Sequence, residues 1–176
     1  MRIISGKYRG MVLASFNGEN IRPTADRVKE SLFNILGPVS GSRVLDMFCG
    51  SGNLGLECIS RGASFVHFND ISKESLAVLK KNLSRIEGNF TITNYDFSRC
   101  LERGEKYDLI FIDPPYASDF GTEALKLVAA GNHLSGDGIA VFERDRSFDG
   151  EICGLEKIDE RKYGKTYLTF FKAGER

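Results

Sequence analysis

The stretch DLIFIDPPYASDF, residues 108–120, carries four apolar residues straight into Asp113, two prolines and Tyr116. Each proline fixes φ and removes a backbone donor, and each holds the residue before it in extended geometry. The chain must therefore leave its strand as a stiff bend. Around Pro114 and Pro115 the main chain offers carbonyl acceptors without competing N–H groups, and Asp113 adds carboxylate acceptors. An exocyclic amine on a nucleobase presents two N–H donors in one plane. Two acceptors at such a bend can hold both protons and aim the nitrogen at an electrophile. Tyr116 can stack on the base face, a contact worth about 1–3 kcal/mol. The plain alternative is a strand terminator with no chemistry.

A second motif lies upstream. LDMFCGSGNLGLE holds Gly50, Gly52 and Gly55 in GxGxxG spacing, after an apolar run and before a helical pattern. Glycines there permit a tight turn and let a ligand approach the backbone. Asp70 follows Gly50 by twenty residues, at the end of the next apolar run. A carboxylate in that place can accept hydrogen bonds from ribose hydroxyls. Asp46 stands just before the loop, where it would repel a pyrophosphate. It would attract a cationic amino group, such as the methionine end of S-adenosyl-L-methionine. A cap on nearby backbone N–H groups is the other reading of Asp46. Asp96 and Phe97 follow a third strand, where an adenine can be hydrogen-bonded and stacked; ordinary core packing is the alternative for Phe97.

The elements that must position these residues alternate in type. Strands are expected at 43–48, 65–70, 90–95, 107–112 and 138–143, and helices at 53–62, 72–88 and 122–130, with Ser72 as the N-cap of the second. The segments 155–164 and 165–172 read as a hairpin at the sheet edge. Alternating strands and helices predict an open α/β sheet, whose ligands bind beyond the carboxyl ends of the strands. Those ends carry Asp46, Asp70, Asp96, Asp113 and Glu143. The first 40 residues differ: a small hairpin over 1–15, then a helix over 24–36 capped by Thr24.

A chain of 176 residues suits one domain with a small appendage. No apolar run approaches the roughly 20 residues of a membrane helix. MRIISGKYRG has no signal-peptide core, and a cytoplasmic protein is expected. Cys49, Cys58, Cys100 and Cys153 form no CxxC pair, so reduced thiols are expected. His67 and His133 stand alone, and no metal is expected. The net charge of zero is unevenly spread. Arg2, Lys7 and Arg9 face no acid over residues 1–18, and Lys157, Arg161, Lys162, Lys165 and Lys172 outnumber Asp159 and Glu160. Basic ends around an acidic centre suit an anionic partner such as RNA, or an ordinary solvated surface.

DPPY together with LDMFCGSGNLGLE resembles the class I S-adenosylmethionine-dependent amino-methyltransferases. MRIISGKYRG, RPTADRVKESLFNIL, RVLDMFCGSGNLGLECISRGA and YDLIFIDPPY together closely resemble the bacterial RsmD family, across most of residues 1–120 and more loosely beyond. The resemblance implies a Rossmann-like class I methyltransferase fold. Its mostly parallel seven-stranded sheet has an antiparallel C-terminal strand and helices on both faces. A hairpin-and-helix extension over 1–40 would dock on a methyltransferase domain over 41–176. The implied activity is methyl transfer from S-adenosyl-L-methionine to the exocyclic N2 of a guanine in small-subunit (16S) ribosomal RNA. Asp46, Phe48, Gly50, Gly52, Gly55, Asp70, Ile71, Asp96 and Phe97 would then contact the cofactor. Asp113, Pro114, Pro115 and Tyr116 would hold the target base. Arg22, Pro23, Thr24 and Arg27 would close over the cofactor or contact RNA, joined by Lys7 and Arg9. Asp70 replaces the family's usual Glu within FND, Ser72 stands where Asp is common, and Cys49 where Ala is common.

A guanine N2 in a paired helix is out of reach of a deep pocket, so the base must be unpaired or flipped, at a cost of a few kcal/mol. Phosphate contacts by Lys7, Arg9, Arg22 and Arg27 can offset that. A neutral monomer of this size is expected to need an assembled or protein-bearing ribosomal particle. Rival readings are adenine-N6 methylation of DNA, a non-catalytic RNA-binding or assembly factor that keeps the fold, and a small-molecule methyltransferase. The first has little room for a target-recognition domain, and the intact DPPY argues against the second.

Overall fold

Continuous apolar runs at 44–45, 65–66 and 109–112 are what strands covered on both faces require. The computed structural model describes residues 1–15, 23–102, 104–115 and 118–174, with the side chains of 23–25 left aside. Its elements are α1 (Pro23–Leu36), β1 (Arg43–Asp46), α2 (Asn53–Ser60), β2 (Phe65–Asn69), α3 (Lys73–Leu83), β3 (Phe90–Thr93), α4 (Phe97–Cys100), β4 (Tyr107–Ile112), α5 (Phe120–Ala130), β5 (Leu134–Arg144), β6 (Leu155–Tyr163) and β7 (Thr166–Ala173). The seven strands form one sheet in the order β3-β2-β1-β4-β5-β7-β6. β1 to β5 are parallel, and β7 runs antiparallel to both β5 and β6. The expected mostly parallel sheet with an antiparallel C-terminal strand is the one observed.

Side chains alternate between two cores. Val44, Val66, Phe68, Leu109 and Phe111 pack with residues of α1, α2 and α3 on one face. Leu45, Ile110, Ile112, Ala140 and Phe142 pack with α4 and α5 on the other. Helices thus cover both faces, and strand order reverses between β1 and β4.

Several boundaries differ from expectation. Thr24 lies inside α1 rather than at its cap, because Pro23 takes the first helical position, where its missing N–H costs nothing. Ser72 does cap α3, accepting from the Ser75 N–H at 3.1 Å, but that helix ends at Leu83 instead of Gly88. α5 begins at Phe120, before Thr122. β5 starts at Leu134 rather than Gly138; Tyr107 pairs with Leu134 and Leu109 with Ile139, so the polar Ser135–Gly138 stretch is absorbed as an irregularity. The four-residue α4 was not expected and is capped by Asp96.

The N-terminal segment forms the expected hairpin: Ile3 N–H donates to Met11 O at 2.9 Å and Gly10 N–H to Ile3 O at 2.8 Å. It is fastened by the fully buried Glu57 of α2. That carboxylate accepts from the Ile4 N–H (2.8 Å) and Ser5 N–H (3.0 Å), and pairs with Lys29 of α1 (3.3 Å) and Arg61 (2.8 Å).

Candidate active site at the carboxyl edge of the sheet

Because β3, β2, β1, β4 and β5 are adjacent and parallel, their carboxyl ends set Asp96, Asp70, Asp46, Asp113 and Glu143 along one edge. The site forms where strand order reverses, between β1 and β4. The three glycines there do different work. Gly50 (φ 53°) has open space where a side chain would start, so its backbone is accessible to a ligand. Gly52 caps α2 in the left-handed conformation, φ 87°. Gly55 lies so close to the Phe68 ring that a side chain would collide with it, which is how α2 seats on β2.

Carboxylates tie this turn to the sheet. Asp46 Oδ2 accepts from the Gly55 N–H at 2.9 Å, so one oxygen has the capping role. Asp70 accepts from the Gly50 N–H and the Ser72 N–H, each at 2.8 Å. Two asparagines that the sequence reading did not single out as positioning groups stiffen the edge. Asn69 Nδ2 donates to Met47 O and Tyr95 O, and its Oδ1 accepts from Thr93 Oγ1. Asn94 Nδ2 donates to the carbonyls of Asp70 and Ile71, each at 2.8 Å. Nothing local distinguishes either residue from a turn asparagine; only the strand alignment gives them partners.

The electrostatics are one-sided. Asp46 is 2% exposed. Burial pushes its carboxyl pKa up to about 7, against the Gly55 hydrogen bond and with a further push from Asp70. Asp113 is raised well above the carboxylate range by burial, then by Glu143 and Asp46. Among the described residues no ion pair reaches Asp46, Asp70 or Asp113. Crowded, desolvated carboxylates of this kind fit a ligand that brings its own positive charge. S-adenosyl-L-methionine, with an ammonium and a sulfonium, meets that condition.

Beyond the end of β2, Ile71 is 71% exposed and offers apolar surface beside Asp70. Asp96 accepts from the Ser98 N–H and hydroxyl as the cap of α4. Phe97 is buried, its ring 5.6 Å from Phe48 and 5.4 Å from Phe120, centroid to centroid. It is a core residue as placed, and half-buried Phe48 lies at its side.

At the bend, Pro114 is buried and Pro115 exposed. The Pro115 carbonyl is not a vacant acceptor, since it takes the Ser118 N–H at 3.1 Å and the Ser118 hydroxyl at 2.8 Å. The Asp113 carboxylate and the Pro114 carbonyl, to which no described group donates, are the acceptors left at the bend. Both prolines line a pocket with Ser118, Glu143, Arg144 and Arg146.

Tyr116 and Arg22 fall outside the described residues, as does the Thr24 side chain. Lys7 pairs with Glu87 at 2.8 Å, and its N–H donates to Ser60 O at the last turn of α2. That places Lys7, with exposed Arg9 nearby in the hairpin, roughly one helix length (about 12 Å) from the glycine turn. Arg27 is exposed on α1.

The family model described as Conserved hypothetical protein 95 matches residues 1–172. Ribosomal RNA small subunit methyltransferase D of Haemophilus influenzae is 36% identical over 153 residues, covering 83% of this chain and 79% of that protein. The Escherichia coli (strain K12) protein of the same name is 34% identical over 148 residues, covering 82% and 75%. The solved structure of Escherichia coli yhhF superposes with a TM-score of 0.88 at 29% identity, covering 98% of this chain and 97% of that one. A T. thermophilus 16S rRNA N2 G1207 methyltransferase (RsmC), solved with AdoMet and guanosine, gives a TM-score of 0.66 at 22% identity and covers 92% and 45%, a likeness of fold.

Proposed function

Since the chain belongs to the Conserved hypothetical protein 95 family, and about a third of it is identical to small-subunit ribosomal RNA methyltransferases D, we propose that it methylates the exocyclic N2 of a guanine in 16S ribosomal RNA, with S-adenosyl-L-methionine as donor. The observation that carries this reading is the adjacency of two unlike features. A rigid acceptor pair, Asp113 and the Pro114 carbonyl, ends β4, and an electronegative glycine turn ends its neighbour β1.

When bound, S-adenosyl-L-methionine supplies a methyl group already activated on a sulfonium. The chain's part is to bind and aim. The free oxygen of Asp46 and the open backbone face at Gly50 receive the methionine portion, and Asp70 and Ile71 receive the ribose and the adenine edge. Asp96, Phe97 and Phe48 form the floor and rim on that side. Asp113 accepts one N2 proton and the Pro114 carbonyl the other, which orients the amine nitrogen; Tyr116 stacks on the guanine. Positioning of this kind is most of what a displacement at an activated carbon needs. Burial raises the proton affinity of Asp113, so it suits the proton that the amine sheds after transfer.

The test is incubation of labelled cofactor with small ribosomal subunits from cells lacking the enzyme, followed by nucleoside mass spectrometry. N2-methylguanosine is the expected product. Asp113→Ala should lower turnover by about a hundredfold or more while leaving cofactor binding within a few-fold. Methylation at adenine N6 would remove the guanine assignment, and unchanged turnover in Asp113→Ala would remove the acceptor role.

A further inference from the structure

The pocket beside the bend is lined by two arginines, Arg144 and Arg146, set among the acids Asp119, Glu143 and Asp145. β5 delivers Glu143 to the carboxyl edge and runs on through Arg144 to the turn holding Arg146. Both arginines line the pocket formed by Pro114 and Pro115. The Arg144 guanidinium lies over two aromatic rings, 5.3 Å from the Phe142 centroid and 5.5 Å from that of Phe148. These contacts hold the side chain in place, so little freedom is left to lose on binding. Neither arginine makes an ion pair within 4 Å among the described residues. Partial burial and the charge of Arg146 both lower the proton affinity of Arg144; Asp145, Glu160 and Asp149 oppose this. An anion between the two guanidinium groups relieves their repulsion, and the planar fork matches a phosphate.

A nucleotide whose base sits at the Asp113–Pro114 bend brings its phosphate to the neighbouring pocket. That phosphate cannot rest against Asp113 or Glu143. We propose that Arg144 and Arg146 grip the RNA backbone phosphate next to the target nucleotide, as positioning residues that hold the flipped base in register with Asp113. The inference rests on reading the Asp113–Pro115 bend as the site of the acceptor base, with this pocket next to it. It places the main RNA-gripping cations at the end of β5 and on the turn after it rather than on the N-terminal hairpin.

The experiment is steady-state methylation of small ribosomal subunits by the full chain, with labelled S-adenosyl-L-methionine, at several salt concentrations. Wild type, Arg144→Gln, Arg146→Gln and the double variant are compared. Each single change should raise KM for the subunit by about fivefold or more, leave kcat within about twofold, and flatten the plot of log KM against log salt by about 0.7–0.9. Calorimetric affinity for S-adenosyl-L-methionine should not move. Arg146 is exposed and stacks on no ring among the described residues, so its variant carries the test if Arg144→Gln disturbs the Phe142–Phe148 packing. Wild-type KM and salt slope in Arg146→Gln and the double variant would overturn the inference. A wild-type protein that binds cofactor yet methylates no subunit would instead overturn the functional reading beneath it.

Discussion

Asp46 is a charge prepared for a partner that its own chain does not supply. Its carboxyl is buried beside Asp70 and Asp113, with one backbone donor. As the pH falls below about 7 it gains a proton and loses its attraction for an ammonium. Affinity for S-adenosyl-L-methionine should therefore weaken about fivefold between pH 7 and pH 6, a dependence that titration calorimetry reads and that Asp46→Asn should remove along with most of the binding. Stability moves the opposite way. The folded-state pKa lies above the unfolded value, so the contribution is fully present at pH below about 4 and is lost as the pH rises through about 7. Asn mimics the protonated acid and should stabilise the cofactor-free protein at pH 8 by about 1–3 kcal/mol, with little change at pH 4. Lower stability at pH 8 would contradict this. The sequence already signalled the acid, the glycines and the two prolines, because each acts through local backbone rules. That Gly55 uses one Asp46 oxygen, and that Ser118 takes the Pro115 carbonyl, depends on how the turns close.

At the scale of elements, the strands and the glycine-led helix were legible because apolar runs and turn residues coincide. The start of β5 was not, since Ser135–Gly138 has the composition of a turn yet is carried in the sheet beside β4. The fastening of the N-terminal segment was also hidden. Lys29 looks like one more solvated cation on an amphipathic helix, but it is 2% exposed. Its ammonium donates to Arg2 O at 2.6 Å and Asn53 Oδ1 at 2.8 Å, and pairs with Glu57. Hairpin, α1 and the first residue of the cofactor-side helix thus meet at one buried charge. Lys29→Met leaves Glu57 short of a cation and should cost about 3–5 kcal/mol in urea denaturation. Faster proteolysis of the hairpin should accompany it. A loss below about 1 kcal/mol would show that Arg61 and the two backbone donors suffice.

At the scale of the whole molecule, a chain with no net charge carries a row of acids along the carboxyl edge of its sheet, with Arg144 and Arg146 beside them and its other cations scattered. Long-range attraction to bare RNA is therefore weak. Methylation should be at least about tenfold faster on small ribosomal subunits than on protein-free 16S RNA at 0.15 M salt; equal rates would mean that RNA alone supplies the recognition. The most direct test of how bend and turn cooperate is a crystal soaked with S-adenosyl-L-methionine and guanosine. The expected result is the methionine portion on the Gly50–Gly52 turn, guanine N2 bonded to Asp113 and the Pro114 carbonyl, and the methyl carbon about 3–3.5 Å from that nitrogen. A cofactor bound away from the glycine turn, or an N2 facing away from the sulfonium, would contradict it.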